Sequence, residues 1–367
     1  MRKLMAVNFI IAFFASSLAM ALPLYLLQKG VDVREIGLII SVTPLVFLVL
    51  RSMASAAAEV MGTRPFFLAS SASQALASLT FLVASTPLGF ALGKLLDGSA
   101  QSFFWAVNRT KVVEREAYKE MSLAKLLAIR MLASTIGIGL AGVLISYSFE
   151  SFFQLLALGG IFSFIISIFF WKGKGQQERI DPNQMLDFKS KSRLFRETSF
   201  SIFFFLAAFA IFFSFLLPVY LREEMSMPYE GIGALVMFFY LAMAVGSYSA
   251  IEFGLDERVL LFFQDLTIPL LLLIPFAQPY IFPLLMMVGF GFGVCYAMQE
   301  KMVVIATQGS KSLSTDFALI FVPGVFGEFS ILALSGFLLA AMGSAALFAI
   351  SAVLVALFIH YSRDVLK

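Results

Sequence analysis

Lys94, Asp97, Gln101, Trp105 and Asn108 follow one another at intervals of three, four, four and three residues. That spacing sets an ammonium, a carboxylate, two amides and an indole along one face of a helix. Such a stripe can bind a polar solute or carry a proton on its carboxyl. It can also close on itself, because Lys94 and Asp97 at i and i+3 are placed to form a local ion pair. The surroundings decide which, and they are almost wholly apolar.

Of 367 residues, 60% are hydrophobic, 43 are Phe and 13% are charged, with a mean hydropathy of +0.93. A soluble domain carries about 25% charge. The composition is that of a polytopic membrane protein, in which each helix needs about 20 apolar residues to cross the hydrocarbon core. Hydropathy and turn residues predict twelve spans, at roughly 5–27, 35–58, 65–86, 88–108, 123–147, 150–171, 198–221, 230–253, 258–276, 279–299, 314–340 and 343–361. The stripe falls in the fourth. An ionised group facing lipid costs about 2.5–3.5 kcal/mol or more, so the stripe is expected to face protein or water.

The positioning elements come in two related sets. Leu22-Pro23-Leu24-Tyr25-Leu26 returns as Leu217-Pro218-Val219-Tyr220-Leu221 at an offset of 195, and Glu35 returns as Glu230 at the same offset. An all-α integral membrane fold of two pseudosymmetric six-helix bundles follows, 1–171 and 198–367, joined by a polar linker over 172–197. Tandem duplication in a hydrophobic chain is a signature of secondary transporters, whose solute site lies between the repeats. The repeat also bears on the N-terminus. Arg2, Lys3, an apolar core and Ala19-Met20-Ala21 imitate a secretory signal, but the matching segment before Leu217 is internal, so the first span is expected to stay.

Basic residues orient the chain. With the N-terminus inside, nineteen Lys and Arg lie in inner segments and three (Lys29, Arg34, Arg222) in outer loops. This positive-inside bias puts both termini in the cytoplasm of a multi-pass protein of the cell membrane. Cys295 has no disulfide partner and reads as a packed thiol. No phosphate loop of the Gly-x-x-x-x-Gly-Lys-Ser/Thr type occurs, so any pumping draws on ion or solute gradients, and no metal, cofactor or nucleic acid is called for. A lipid-modifying membrane enzyme would want paired Asp-rich magnesium motifs, which the spans lack. A transporter-like receptor or assembly protein stays open.

Ser55-Ala56-Ala57-Ala58-Glu59-Val60-Met61-Gly62-Thr63-Arg64, after the second span, resembles the loop signature Gly-x-x-x-Asp-x-x-Gly-Arg-Arg/Lys of the major facilitator superfamily. Glu59, Gly62 and Arg64 match the acid, glycine and final base, and Ser55 replaces the first glycine. A capped, solvated turn explains the same residues. Lys94-Leu95-Leu96-Asp97-Gly98 resembles that superfamily's fourth-helix signature Arg-x-x-Gln-Gly, with Lys for Arg and Asp for Gln. Ser134, Gly137, Gly139 and Gly142 resemble the glycine-rich antiporter helix without its proline.

The resemblance implies alternating access by two rocking bundles, with Ser55, Glu59, Gly62 and Arg64 as a gating loop. It also implies a cavity lined by spans 1, 4, 7 and 10, here Asn8, the stripe, the phenyl rings of span 7, Tyr296 and Gln299. Spans 2 and 11, and 5 and 8, would be neighbours. Arg51 in span 2 then needs a partner such as Asp316 or Glu328, each awkwardly placed, and Arg130 in span 5 points into the cavity toward Asp97. Glu328, an acid deep in an apolar segment, suits a carboxyl that binds and releases protons. Asp265 reads as peripheral and His360 as interfacial. The expectation is a monomeric, proton-coupled transporter of a small amphipathic organic solute, with drug or metabolite efflux among its modes. Asp97 is the first choice of coupling residue and Glu328 the second.

Overall fold

A computed structural model describes residues 2–115, 120–170, 188, 191–252, 257–308 and 313–366. All regular elements among them are helical. The first half comprises α1 (Arg2–Gln28), α2 (Val33–Met61), α3 (Arg64–Val83), α4 (Pro87–Arg115), α5 (Glu120–Tyr147) and α6 (Phe149–Phe170). The second comprises α7 (Arg193–Phe209), a π-helical run (Ala210–Leu216), α8 (Leu217–Glu223), α9 (Tyr229–Glu252) and α10 (Glu257–Leu273). Two short 3-10 turns, α11 (Ile281–Thr307), α12 (Leu313–Ile320) and α13 (Val322–Leu366) complete it. Most of the linker expected over 172–197 lies outside the described residues.

Ten helical runs among the described residues are long and apolar enough to cross a membrane. α4 is not one of them, because the stripe from Lys94 to Asn108 lowers its hydropathy over its 29 residues. The last two expected spans form one run, Asp316–Arg363, bent at Gly343. That glycine sits at φ 78, a conformation that a side chain would strain.

The repeated pentapeptide makes the same contact twice. The Tyr25 hydroxyl donates to the Phe81 carbonyl at 3.5 Å, and the Tyr220 hydroxyl donates to the Ile274 carbonyl at 3.5 Å. Each tyrosine thereby ties the first helix of its half to the end of the third. The prolines behave differently. α1 runs unbroken through Pro23, whereas the helix before Pro218 widens to π geometry, with the Leu217 N–H donating to Phe212 O. Proline offers no N–H to the carbonyl four residues back, and a π turn is one way to re-satisfy the strand of carbonyls that it frees.

The two main crossings between the halves are α2 with α13 and α5 with α9. Both depend on glycine. A methyl group on Gly142 would lie 2.5 Å from the Gly233 Cα, and one on Gly37 would lie 2.8 Å from Leu332 O and 2.9 Å from Gly336 N. Backbones in direct contact are the usual way for membrane helices to gain dispersion energy without a hydrophobic drive. The phenylalanines of the seventh span are drawn inward more than an apolar surface facing lipid requires. Phe205, Phe212, Phe213 and Phe215 are at most 2% exposed and belong to the main core.

Candidate functional site

A cavity of about 320 Å³, partly open, lies between the two halves. Its walls come from α1, α2, α4 and α5 on one side and from α7, the π run, α9, α11 and α13 on the other, a wider set than the four spans expected. Lys94, Asp97, Gln101, Arg51, Arg130, Tyr296, Gln299 and Glu328 all line it. Asn8 does not.

The stripe on α4 divides into separate functions. Asp97 Oδ2 accepts from Lys94 Nζ at 2.8 Å and from Thr43 Oγ1 at 3.1 Å, and the Gln101 amide lies 3.3 Å from the same oxygen. The Lys94 and Asp97 side chains are 7% and 1% exposed. Thr43 reaches them because Gly98 lets α2 approach. A methyl group at Gly98 would lie 2.9 Å from Thr43 O. The local ion pair is therefore formed, and two further donors complete it, as a buried charge requires.

At the far end of the stripe Asn108 and Asn8 exchange two hydrogen bonds, Asn8 Nδ2 to Asn108 Oδ1 at 2.8 Å and Asn108 Nδ2 to Asn8 Oδ1 at 2.9 Å. The reciprocal pair is buried and ties α1 to α4. Between these two clusters, Trp105 carries Arg130 over its indole, with Cζ 4.2 Å from the ring centroid. Arg130 thus meets Trp105 rather than Asp97.

Arg51 crosses the interface between halves. Its guanidinium lies over Phe47 and Phe321, at 4.9 and 5.2 Å, and Nη2 donates to the Phe317 carbonyl at 3.4 Å. Asp316, one of its expected partners, accepts from Lys191 Nζ at 2.6 Å. Glu328, the other, makes no hydrogen bond or ion pair with a described residue. Gln299 lies on the opposite wall with Oε1 buried and unbonded among the described residues. Tyr296 packs edge-on to Phe205 at 6.1 Å.

In the loop motif, Gly62 caps α2 at φ 79, its N–H bonded to Ala58 O at 2.9 Å, and Ser55 is buried. Arg64 Nη2 donates to Ile168 O at 3.3 Å, a contact inside its own half. The Glu59 side chain lies outside the described residues. Asp265 pairs with Arg363 at 2.6 Å, away from the cavity.

Thr43, Ser16 and Tyr240 are among the lining residues not anticipated from the sequence. Thr43 had a signal, since Thr43, Phe47 and Arg51 repeat every four residues along one face of the second span. Ser16 bonds Ser134 Oγ at 2.6 Å across α1 and α5, and Tyr240 packs edge-on to Phe213 at 4.8 Å. Neither residue type is unusual in a membrane helix, and only the assembled helices single them out.

A profile of the Major Facilitator Superfamily matches residues 4–312. Comparison with curated protein sequences gave no match. Several solved structures share the fold over nearly their whole lengths. The human organic anion transporter MFSD10 (TETRAN) superposes with a TM-score of 0.75 at 15% identity, covering 98% of this chain and 99% of that one. For the E. coli fucose:proton symporter FucP the values are 0.71, 14%, 99% and 97%. For the nucleoside transporter NupG they are 0.74, 15%, 100% and 99%.

Proposed function

The chain belongs to the Major Facilitator Superfamily, and from that premise we propose that it is a secondary active transporter that moves a small organic solute across the cell membrane by alternating access. Twelve spans in two bundles, 1–171 and 198–367, with the linker and both termini cytoplasmic, are the arrangement that the 195-residue repeat and the positive-inside bias support. The working unit is a monomer, because one chain supplies both walls of the cavity.

The observation that carries this reading is the cavity itself. Charged side chains from both halves line one cavity, and groups so costly to bury in a membrane protein mark solute or ion paths. The solutes named for structures of this fold are chemically diverse, so the fold leaves the choice of solute to the lining.

Proton coupling is part of the proposal, with the fucose:proton symporter as precedent on this fold. Glu328 suits the carrier better than Asp97. Protonating Asp97 would strip Lys94 of its counterion, whereas the Glu328 carboxyl is engaged by no described residue. Alternating access has a direct test in counterflow. Liposomes preloaded with an unlabelled solute should take up the labelled solute in a transient overshoot, and simple equilibration without overshoot would speak for a pore.

A further inference from the structure

We propose that the transported solute is a small organic monocarboxylate, its carboxylate seated on Arg130 and its apolar body against the aromatic wall that Phe209 and Phe213 present. The inference rests on the transporter reading and specifies its substrate.

The charges lining the cavity can be taken in turn. The Lys94 ammonium is committed to Asp97 at 2.8 Å, and Thr43 and Gln101 fill the remaining positions around that carboxylate. Arg51 donates to the Phe317 carbonyl and lies between two phenyl rings. Glu328, an acid, makes no hydrogen bond or ion pair with a described residue. Arg130 is left, with the indole of Trp105 beneath it and no ion pair or hydrogen bond to any described residue. A guanidinium stays charged throughout the physiological range and offers N–H donors in a planar fork. Contact with an indole face uses none of those donors. They match the two oxygens of a carboxylate.

The neighbours of Arg130 suit the same ligand. Tyr240 and Tyr296, both from the second half, line the same cavity as the Arg130 guanidinium from the first. Ser134, one turn along α5, also lines the cavity. Beside Tyr240 the rings of Phe209 and Phe213 stack at 5.4 Å with 20° between planes, and both line the cavity. An anionic head and an apolar, preferably aromatic, body fit that sequence of surfaces. A monoanion fits better than a phosphate dianion, because among the described cations that line the cavity Arg130 alone is left with its donors uncommitted. A volume of 320 Å³ is near the lower end of the 300–1,000 Å³ typical of ligand pockets and limits the body to a small ring system.

The test uses the purified full chain and three matched probe sets. These are benzoate, benzamide and benzamidine; 1-naphthoate, 1-naphthamide and 1-naphthamidine; and indole-3-acetate, indole-3-acetamide and tryptamine. Phenylphosphonate and chloride serve as further anions. In at least one set the carboxylate should raise the melting temperature and bind, while its amide and cation bind at least 10-fold more weakly. Arg130→Gln should weaken carboxylate binding by about 10-fold to 100-fold, the loss expected for a charged hydrogen bond, with Arg130→Lys between. Unliganded Arg130→Gln should elute as a monodisperse peak at the wild-type position, and a variant that fails this is replaced by Arg130→Met. Preference for an amide, a cation or phenylphosphonate, an equal shift with chloride alone, or carboxylate binding indifferent to Arg130 overturns the proposal, as does absence of carboxylate binding in every set. Flux of the bound probe separates the two readings. A neutral solute that binds and is transported leaves the transporter standing and removes the carboxylate. A carboxylate that binds at Arg130 without being transported does the reverse.

Discussion

Removing one partner of the Lys94–Asp97 pair leaves the other charge inside the protein with no counterion. Asp97→Asn should therefore destabilise the protein by about 3–5 kcal/mol, read as a fall in melting temperature, and Lys94→Met with Asp97→Leu should recover much of that loss. A double variant less stable than the single one would show that the charges do more than neutralise each other. Glu328→Gln has a different signature. It should abolish proton-driven accumulation while solute exchange and the melting temperature persist, and unimpaired accumulation would place the carrier elsewhere. Spacing alone made the i, i+3 pair at Lys94 and Asp97 legible. Its completion by Thr43 was not, since that depends on how closely Gly98 lets α2 approach. The same limit explains why Asn8 was expected in the cavity. Its commitment to Asn108 exists only once α1 and α4 are packed.

At the level of helices, the halves meet where glycine faces backbone. Gly142→Val adds atoms where even a methyl group would lie 2.5 Å from Gly233, and overpacking of this kind costs about 1–3 kcal/mol. It should also loosen that end of the interface. Leu22 lines the cavity and is 1% exposed, and the native thiol, Cys295, is fully buried and should stay silent. A Leu22→Cys reporter should thus react several-fold faster with a water-soluble maleimide when Gly142→Val is present. Equal labelling rates would mean that the crossing yields without opening. The repeat suggested which helices correspond, and Tyr25 and Tyr220 each make a 3.5 Å bond to a backbone carbonyl in their own half. It did not announce the π run before Pro218, because Pro23 in the same phrase sits in an unbroken helix. Identical local sequence leaves that choice to the surrounding packing.

For the molecule as a whole, orientation follows from where the basic residues lie, so labelling of single cysteines provides its check. Lys29→Cys should react with an impermeant maleimide on intact cells, and Gln308→Cys only after permeabilisation. The opposite pattern would invert the topology. Membrane class was legible in composition because it is a global property, and the family was legible in the Ser55–Arg64 and Lys94–Gly98 motifs. The cavity's interior was legible only in part, because it is assembled from single residues on helices from all along the chain. The central claim is that this interior carries a solute on one stroke and a proton on Glu328. Its most direct measurement is accumulation of a labelled solute by liposomes holding wild-type protein or Glu328→Gln under an imposed proton gradient. Wild type should concentrate the solute until a protonophore collapses the gradient, and Glu328→Gln should equilibrate it without concentrating it. Folded wild-type protein that moves no sugar, nucleoside, carboxylate or amine in either direction would contradict the account.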